Sequence, residues 1–330
     1  MRVHDMKYSV ISISSSGVSS AVFLDNPDQL ILRERQTMSV RNYIDDGKLS
    51  SRGIERLVEL ILEAKSRCYS VGVDLAWLIA TDSLRSIKNL SRVRNEVKAR
   101  TGMEINLIEA ETEALCDAAA NRSAREYDSP VIIDLGGSSI ELFDFYGKEE
   151  SVICLDFGLD DLTRKFVKRI HPTKKEADEI KNYLKKKLKA MDIPKAGKYK
   201  TAVLSGSITQ SIYDVYCDYE DIPIVDKADK VMEPEGFRKL SKHLFDGSKR
   251  SMIVIKNAPD KLHTIGTAMV VLRTLLKRFQ VSCVKVSDYG VKEGYMRLIL
   301  EDSVSGESYR FSYDDNAQKD KDGEVSSDGQ

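Results

Sequence analysis

The stretch VIIDLGGSSIELFDFYG, Val131 to Gly147, decides how the rest of the chain is read. Val131, Ile132 and Ile133 form the short apolar run of a buried strand. Asp134 follows at the strand end, where a carboxylate is displayed. Gly136 and Gly137 permit a tight turn that brings backbone N–H groups against an anion, and Ser138 and Ser139 add hydroxyl donors. Ile140, Leu142, Phe143 and Phe145 then resume an apolar strand through Glu141. The unit is a strand, a phosphate-sized hairpin turn and a returning strand, with a carboxylate on each arm. A Walker loop is excluded, because no Gly-Lys-Ser/Thr is present. A dinucleotide fingerprint is excluded as well, because a strand and no helix follows the glycines. An ordinary Gly-Gly hairpin with incidental acids is the alternative reading of the stretch alone.

Small-residue turns recur on either side. Tyr8 to Ile13 and Val18 to Leu24 read as strands joined by Ser14-Ser15-Ser16-Gly17, and Leu30 to Met38 reads as a further strand. Ser50 or Ser51 caps a helix from Ile54 to Arg67. Ala76 to Ala80 is a strand leading into Thr81-Asp82-Ser83-Leu84-Arg85 and a helix to about Arg100. Glu104 to Ile108 is a strand, after which Glu109 to Ala114 opens an alanine-rich helix. Ala202 to Leu204 leads into Ser205-Gly206-Ser207 at a helix start, a position suited to anions. Thr173 and Glu176 form a capping box for a lysine-rich helix bearing Lys181, Lys185, Lys186, Lys187 and Lys189. Lys195, Lys198 and Lys200 follow it. This run reads as a solvated face, with a polyanion track as the alternative. Helices near Phe237–Phe245, Ile265–Phe279 and Val291–Glu301 complete the pattern, with a strand at Cys283–Val286.

Composition narrows the class. The 330 residues carry 51 Lys and Arg against 52 Asp and Glu, so the chain is no polycation and DNA is not an expected partner. No run approaches the roughly 18 apolar residues of a membrane span. The N-terminus leads directly into strand-like sequence without a signal-peptide core. Cys68, Cys116, Cys154, Cys217 and Cys283 are scattered and form no CxxC pair. That fits reduced thiols in a cytoplasmic protein and excludes the usual zinc spacings. From Ser303 onward the chain is polar, and a disordered tail is expected.

The order of these pieces resembles the exopolyphosphatase/guanosine pentaphosphate phosphohydrolase (Ppx/GppA) family, of the actin, sugar-kinase and heat-shock ATPase superfold. DLGGSSIE at 134–141, TDSLRSIKN at 81–89, INLIEAETEA at 105–114, LSGSITQSI at 204–212 and VSDYGVKEGYM at 286–296 carry the resemblance. It implies an α/β protein of two actin-like (ribonuclease H-like) domains around a central cleft. Domain one would span 1–118 and domain two 119–302, with the disordered tail at 303–330. It further implies Glu113 as the base that activates water, with Asp134 and Glu141 as the other catalytic acids and the Mg2+ ligands. Ser15, Ser16, Gly17, Arg85, Gly136, Gly137, Ser138, Ser139, Gly206 and Ser207 would bind phosphate. The implied ligand is polyphosphate or a phosphorylated guanosine nucleotide, and a homodimer is left open.

Three departures accompany the resemblance. The family's first phosphate loop reads Asp-x-Gly-Ser-Asn-Ser, whereas Ser12 and Ser14 stand here for the Asp and the Gly. The central turn has one glycine fewer than the usual three. Lys292 replaces an Arg. The loss of a metal-side carboxylate at Ser12 sets a phosphohydrolase beside a catalytically weakened sensor of the same anions. A kinase-like phosphotransferase on the superfold is a third reading.

Overall fold

A computed structural model describes residues 5–145, 151–191, 193, 197–224, 230–246 and 250–313. Lys195, Gly147 and positions 314–330 of the expected tail lie outside the described residues. The first half folds as β1 (Lys7–Ser14), β2 (Gly17–Leu24), β3 (Leu30–Thr37), a two-stranded ribbon of β4 (Ile44–Asp45) and β5 (Lys48–Leu49), α1 (Ser51–Ser70), β6 (Leu75–Ala80), α2 (Asp82–Arg85), α3 (Leu90–Thr101), β7 (Ile105–Leu107) and α4 (Ala110–Ala120). The second half brings β8 (Pro130–Leu135), β9 (Ile140–Asp144), β10 (Ser151–Leu155), α5 (Leu159–Phe166), α6 (Lys174–Ala190), β11 (Thr201–Ser205), α7 (Ser207–Tyr219), β12 (Val231–Met232), α8 (Pro234–Asp246), α9 (Arg250–Asn257), α10 (Ile265–Phe279), β13 (Cys283–Val286) and α11 (Val291–Leu300). The described chain closes with β14 (Ser308–Arg310).

The two halves repeat one topology. Strands β3-β2-β1 form an antiparallel meander, and β6 and then β7 add parallel to β1. Strands β10-β9-β8 form a second meander, to which β11 and β13 add in parallel. This is the duplicated α/β architecture that the resemblance implies. Two helices lie between the sheets. Cys116 and Ala119 of α4 and Tyr295 and Met296 of α11 pack with Val10, Ala21 and Trp77 of the first sheet. Ala118 of α4 packs with Ile132, Phe143 and Val203 of the second. The crossing is close: a Cβ on Gly294 would stand 1.7 Å from the Cys116 carbonyl oxygen. Outside, α1 and α3 cover the first sheet and α6, α7 and α10 the second.

Local signals account for most boundaries. Ser50 accepts from the Gly53 N–H at the start of α1, and Thr173 and Glu176 exchange their capping bonds at α6. The helix expected across 85–100 is instead two, α2 and α3, with a break at Ser86–Asn89. Asn89 is held there by a reciprocal pair of bonds to the Leu49 backbone. Helix α5, and α9 in what reads as a loop, are additions that the sequence pattern does not reveal.

The tail corrects the expectation for 303–313. Strand β14 pairs antiparallel with β6, and Phe311 is buried in the first core. Asn106 exchanges two hydrogen bonds with the Glu307 backbone, and the Tyr313 hydroxyl donates to the Val73 carbonyl. Polar composition hid a short segment in which Phe311, with Tyr309 packed against the first core, supplies the buried area. Among the described residues no helix is long and apolar enough to cross a membrane.

Candidate active site

Helix α4 begins just after β7, so its first turns overlie the ends of β8 and β9. Glu113 and Asp117 stand one turn apart on it, on the same helical face. Asp134 and Glu141 are directly opposite in the β8–β9 register, so their side chains share a sheet face. That face is the one α4 covers, which is why all four carboxyl groups are buried. Ser205, beside Asp134 in the parallel β11 register, donates its hydroxyl to Asp117 Oδ1 at 2.7 Å. Asp117, Asp134 and Glu141 line one crevice with Ala114, Ile132 and Phe143.

The three small-residue turns meet at this end of the sheets. The 14–17 turn reaches the 136–139 turn, where a Cβ on Gly137 would stand 2.2 Å from Ser15 Oγ. The carbonyls of Gly136 and Gly137 accept from Leu159 and Asp160 N–H, which fastens the hairpin to the start of α5. Ser138 is half-buried and Ser139 buried. Ser16 accepts from Met38 N–H through its carbonyl, and its hydroxyl lies 3.2 Å from that of Ser14. Gly17 opens β2. Gly206 precedes α7 with φ +88°, and a Cβ there would stand 2.2 Å from Asp134 Oδ1. Ser207 is exposed in the first turn of α7. Arg85 donates to the Ile108 carbonyl at 2.7 Å, and its other nitrogen is 3.8 Å from Glu113 Oε2. It thus holds the β7–α4 connection and stands beside the proposed base.

Burial, and then the neighbouring Glu141 and Asp134, push the Glu113 carboxyl well above the usual range; Arg85 opposes this. Burial and Asp134 do the same to Asp117, against the Ser205 hydrogen bond. Burial raises Asp134 to about 6, against a bond from the Leu135 N–H. Four acids in so small a space cannot all be ionised without a compensating cation. A carboxyl raised on folding stabilises the folded state below its unfolded value, and that contribution is lost as pH rises through the folded value. For Asp134 the window runs from 3.8 to about 6. In chelator, the stability gained by Asp134→Asn is therefore expected to grow by about 3 kcal/mol from about pH 4 to 7, at about 1.4 kcal/mol per unit. Urea unfolding of both proteins at the two pH values checks this, and a constant difference would overturn it.

The sequence reading missed a basic wall formed by β3 and the residues packed beside it. Arg33 and Arg35 alternate onto one face of β3. Arg33 bonds Glu293 of α11 at 2.9 Å, and Arg35 reaches Asp260 at 3.4 Å. Lys261 is buried nearby, its pKa pulled down to about 8 by burial and by Arg35. Burial also lowers Lys292, which feels both arginines. Arg41 makes a two-pronged contact with Asp161 at 2.7 and 3.2 Å. Period-two alternation in LILRERQT was the available signal for Arg33 and Arg35; Lys261 had none. The lysine-rich α6 lies elsewhere. Its Ile180, Leu184 and Leu188 pack with Val131, Ile133 and Leu142, on the sheet face opposite Asp134 and Glu141.

Comparisons with known proteins bear on the fold and the family. Exopolyphosphatase 1 of Mycobacterium bovis is 20% identical over 266 residues, covering 79% of this chain and 77% of that protein. The Mycobacterium leprae protein of the same name is 22% identical over 270 residues, with 79% and 78% covered. An exopolyphosphatase crystal structure from Cytophaga hutchinsonii superposes with a TM-score of 0.79 at 16% identity, over 91% of this chain and 99% of that one. A Ppx/GppA family member from Aquifex aeolicus gives 0.75 at 23% identity, over 92% and 100%. The model of the Ppx/GppA phosphatase family matches residues 22–302, and the chain belongs to that family.

Proposed function

We propose that this protein hydrolyses the terminal phosphate of inorganic polyphosphate or of guanosine pentaphosphate. The observation that carries the reading is the position of Glu113. It is a buried carboxyl of raised proton affinity, facing Asp134 and Glu141 where three anion-fitted turns meet. Glu113 accepts a proton from water as the water oxygen bonds to the terminal phosphorus. The anhydride P–O bond breaks, and the shortened chain leaves with its oxygen. Backbone N–H groups of the 136–139 turn and of the α7 start are the donors for the phosphoryl oxygens. Arg33, Arg35 and Lys292 draw the remaining anionic chain into the cleft.

The acidic donors are all oxygen, which suits magnesium. Among the described residues no three acidic, His or Cys side chains form a ready-made metal cage. Magnesium needs none, since it takes one or two carboxylates plus substrate oxygens and waters. Asp134 and Glu141 would hold it, and when bound it supplies charge neutralisation to the phosphoryl oxygens.

Binding without turnover is the second reading, and Ser12, buried on β1 where a carboxylate is expected, favours it. Phosphate release from polyphosphate with and without magnesium separates the two. We expect activity that is low at ordinary magnesium and climbs at higher metal, with Ser12→Asp and Ser14→Gly together raising the rate. Tight polyphosphate binding with no turnover in either protein would establish the sensor. A requirement for ATP would instead mark a kinase-like transferase.

A further inference from the structure

Asp117 has no role in the reaction described above, yet it is fully buried beside the proposed catalytic acids. Its Oδ1 is held by the Ser205 hydroxyl at 2.7 Å, and that hydroxyl also lies 3.2 Å from the Tyr289 carbonyl. Gly290 lies close by, where a Cβ would stand in ordinary contact 3.6 Å from Oδ1. Its Oδ2 is buried without a hydrogen-bond partner and shares the crevice with Asp134 and Glu141. Burying a carboxylate oxygen unpartnered is costly, and an apolar residue at 117 would remove that cost. A fixed, desolvated oxygen beside two further carboxylates has the chemistry of a cation ligand.

Strand β1 carries Ser12 where the resemblance implies a carboxylate. Val10 packs with Cys116 and Ala119 of α4, and Ser12, two residues on, shares the face of Val10. A carboxylate at 12 would therefore project toward α4, the helix that carries Asp117. We propose that Asp117 is a third acidic determinant of divalent-cation affinity, acting beside Asp134 and Glu141 in place of the carboxylate that β1 lacks. This rests on the metal-assisted reading of the site. Outer partners of a metal commonly change its affinity by 10–100-fold, which sets the expected size.

The test uses the full chain, free of substrate, and measures Mn2+ binding by electron paramagnetic resonance and calorimetry. Asp117→Asn keeps the shape and the Ser205 contact, and is expected to weaken Mn2+ by about tenfold or more. Ser205→Ala, which removes the bond that orients Asp117 along with the contact to the Tyr289 carbonyl, is expected to weaken it several-fold. Ser12→Asp added to Asp117→Asn should recover part of the loss. Without metal, Asp117→Asn should melt higher than the wild type, because one of four crowded buried acids has been removed. Wild-type affinity in Asp117→Asn overturns the proposal, as does a lower melting point with unchanged Mn2+ binding. A double variant binding no tighter than Asp117→Asn overturns the compensation by β1. If the wild type itself binds no Mn2+, the metal-assisted reading falls together with the proposal.

Discussion

Glu113→Gln is expected to lower the rate of phosphate release by about 10²–10⁴-fold. Polyphosphate affinity should stay within a few-fold of wild type. Glutamine fills the same buried volume but cannot take the proton of the attacking water. Anion binding rests on other groups, namely the turns at 136–139 and 205–207 and the basic wall of Arg33, Arg35 and Lys292. The substitution also removes one of four crowded acids, so the metal-free protein should melt no lower than wild type. Steady-state release and equilibrium binding on the same preparations decide the matter. A rate loss below about tenfold would take Glu113 out of the base role.

Gly206→Ala should be nearly as damaging, for a steric reason. Gly206 has φ +88° and ψ 164°, a region essentially reserved for glycine and costing other residues about 1–3 kcal/mol. Its Cβ would also stand 2.2 Å from Asp134 Oδ1, so the carboxyl must leave its place opposite Glu141. We expect about a hundredfold loss of rate together with a lower melting temperature, on the scale of a misplaced catalytic group. Gly197→Ala is the matched control. It shares a positive φ, +92°, but its Cβ would meet nothing within 4 Å. Stability should therefore fall in both variants and activity in Gly206→Ala alone. Equal activity losses would show that backbone strain, and not the displacement of Asp134, controls the rate.

The site was unevenly legible. Asp134 and Glu141 are separated by a tight turn, and a hairpin places such residues opposite each other whatever surrounds it. A carboxylate on each arm was therefore readable, while their direct pairing is fixed by the strand register. Glu113 could be placed on a helix but, from local sequence, was indistinguishable from any acid in a first turn. Asp117 drew no notice, because a single Asp in an alanine-rich helix signals nothing until the opposing sheet is known. The lysine run of α6 was conspicuous in sequence and lies across the sheet from the acids. Arg33 and Glu293, which bond to each other in the fold, are 260 positions apart.

What the sequence by itself determined is local: the two meanders, the capped helices, the glycine turns and the carboxylate on each arm of the central hairpin. These follow from side-chain period, turn chemistry and capping, each of which acts within about a dozen residues. What only the tertiary structure decided is which faces meet. Helices α4 and α11 are wedged between the sheets because each sheet leaves an apolar inner face to cover, and that burial is non-directional. The placing of Glu113 and Asp117 over Asp134, of Arg33 and Arg35 on the basic wall, and of β14 against β6 depends on it. Burial rewards any arrangement that removes apolar area from water, so the choice among arrangements belongs to the packing of the whole chain and not to any one segment.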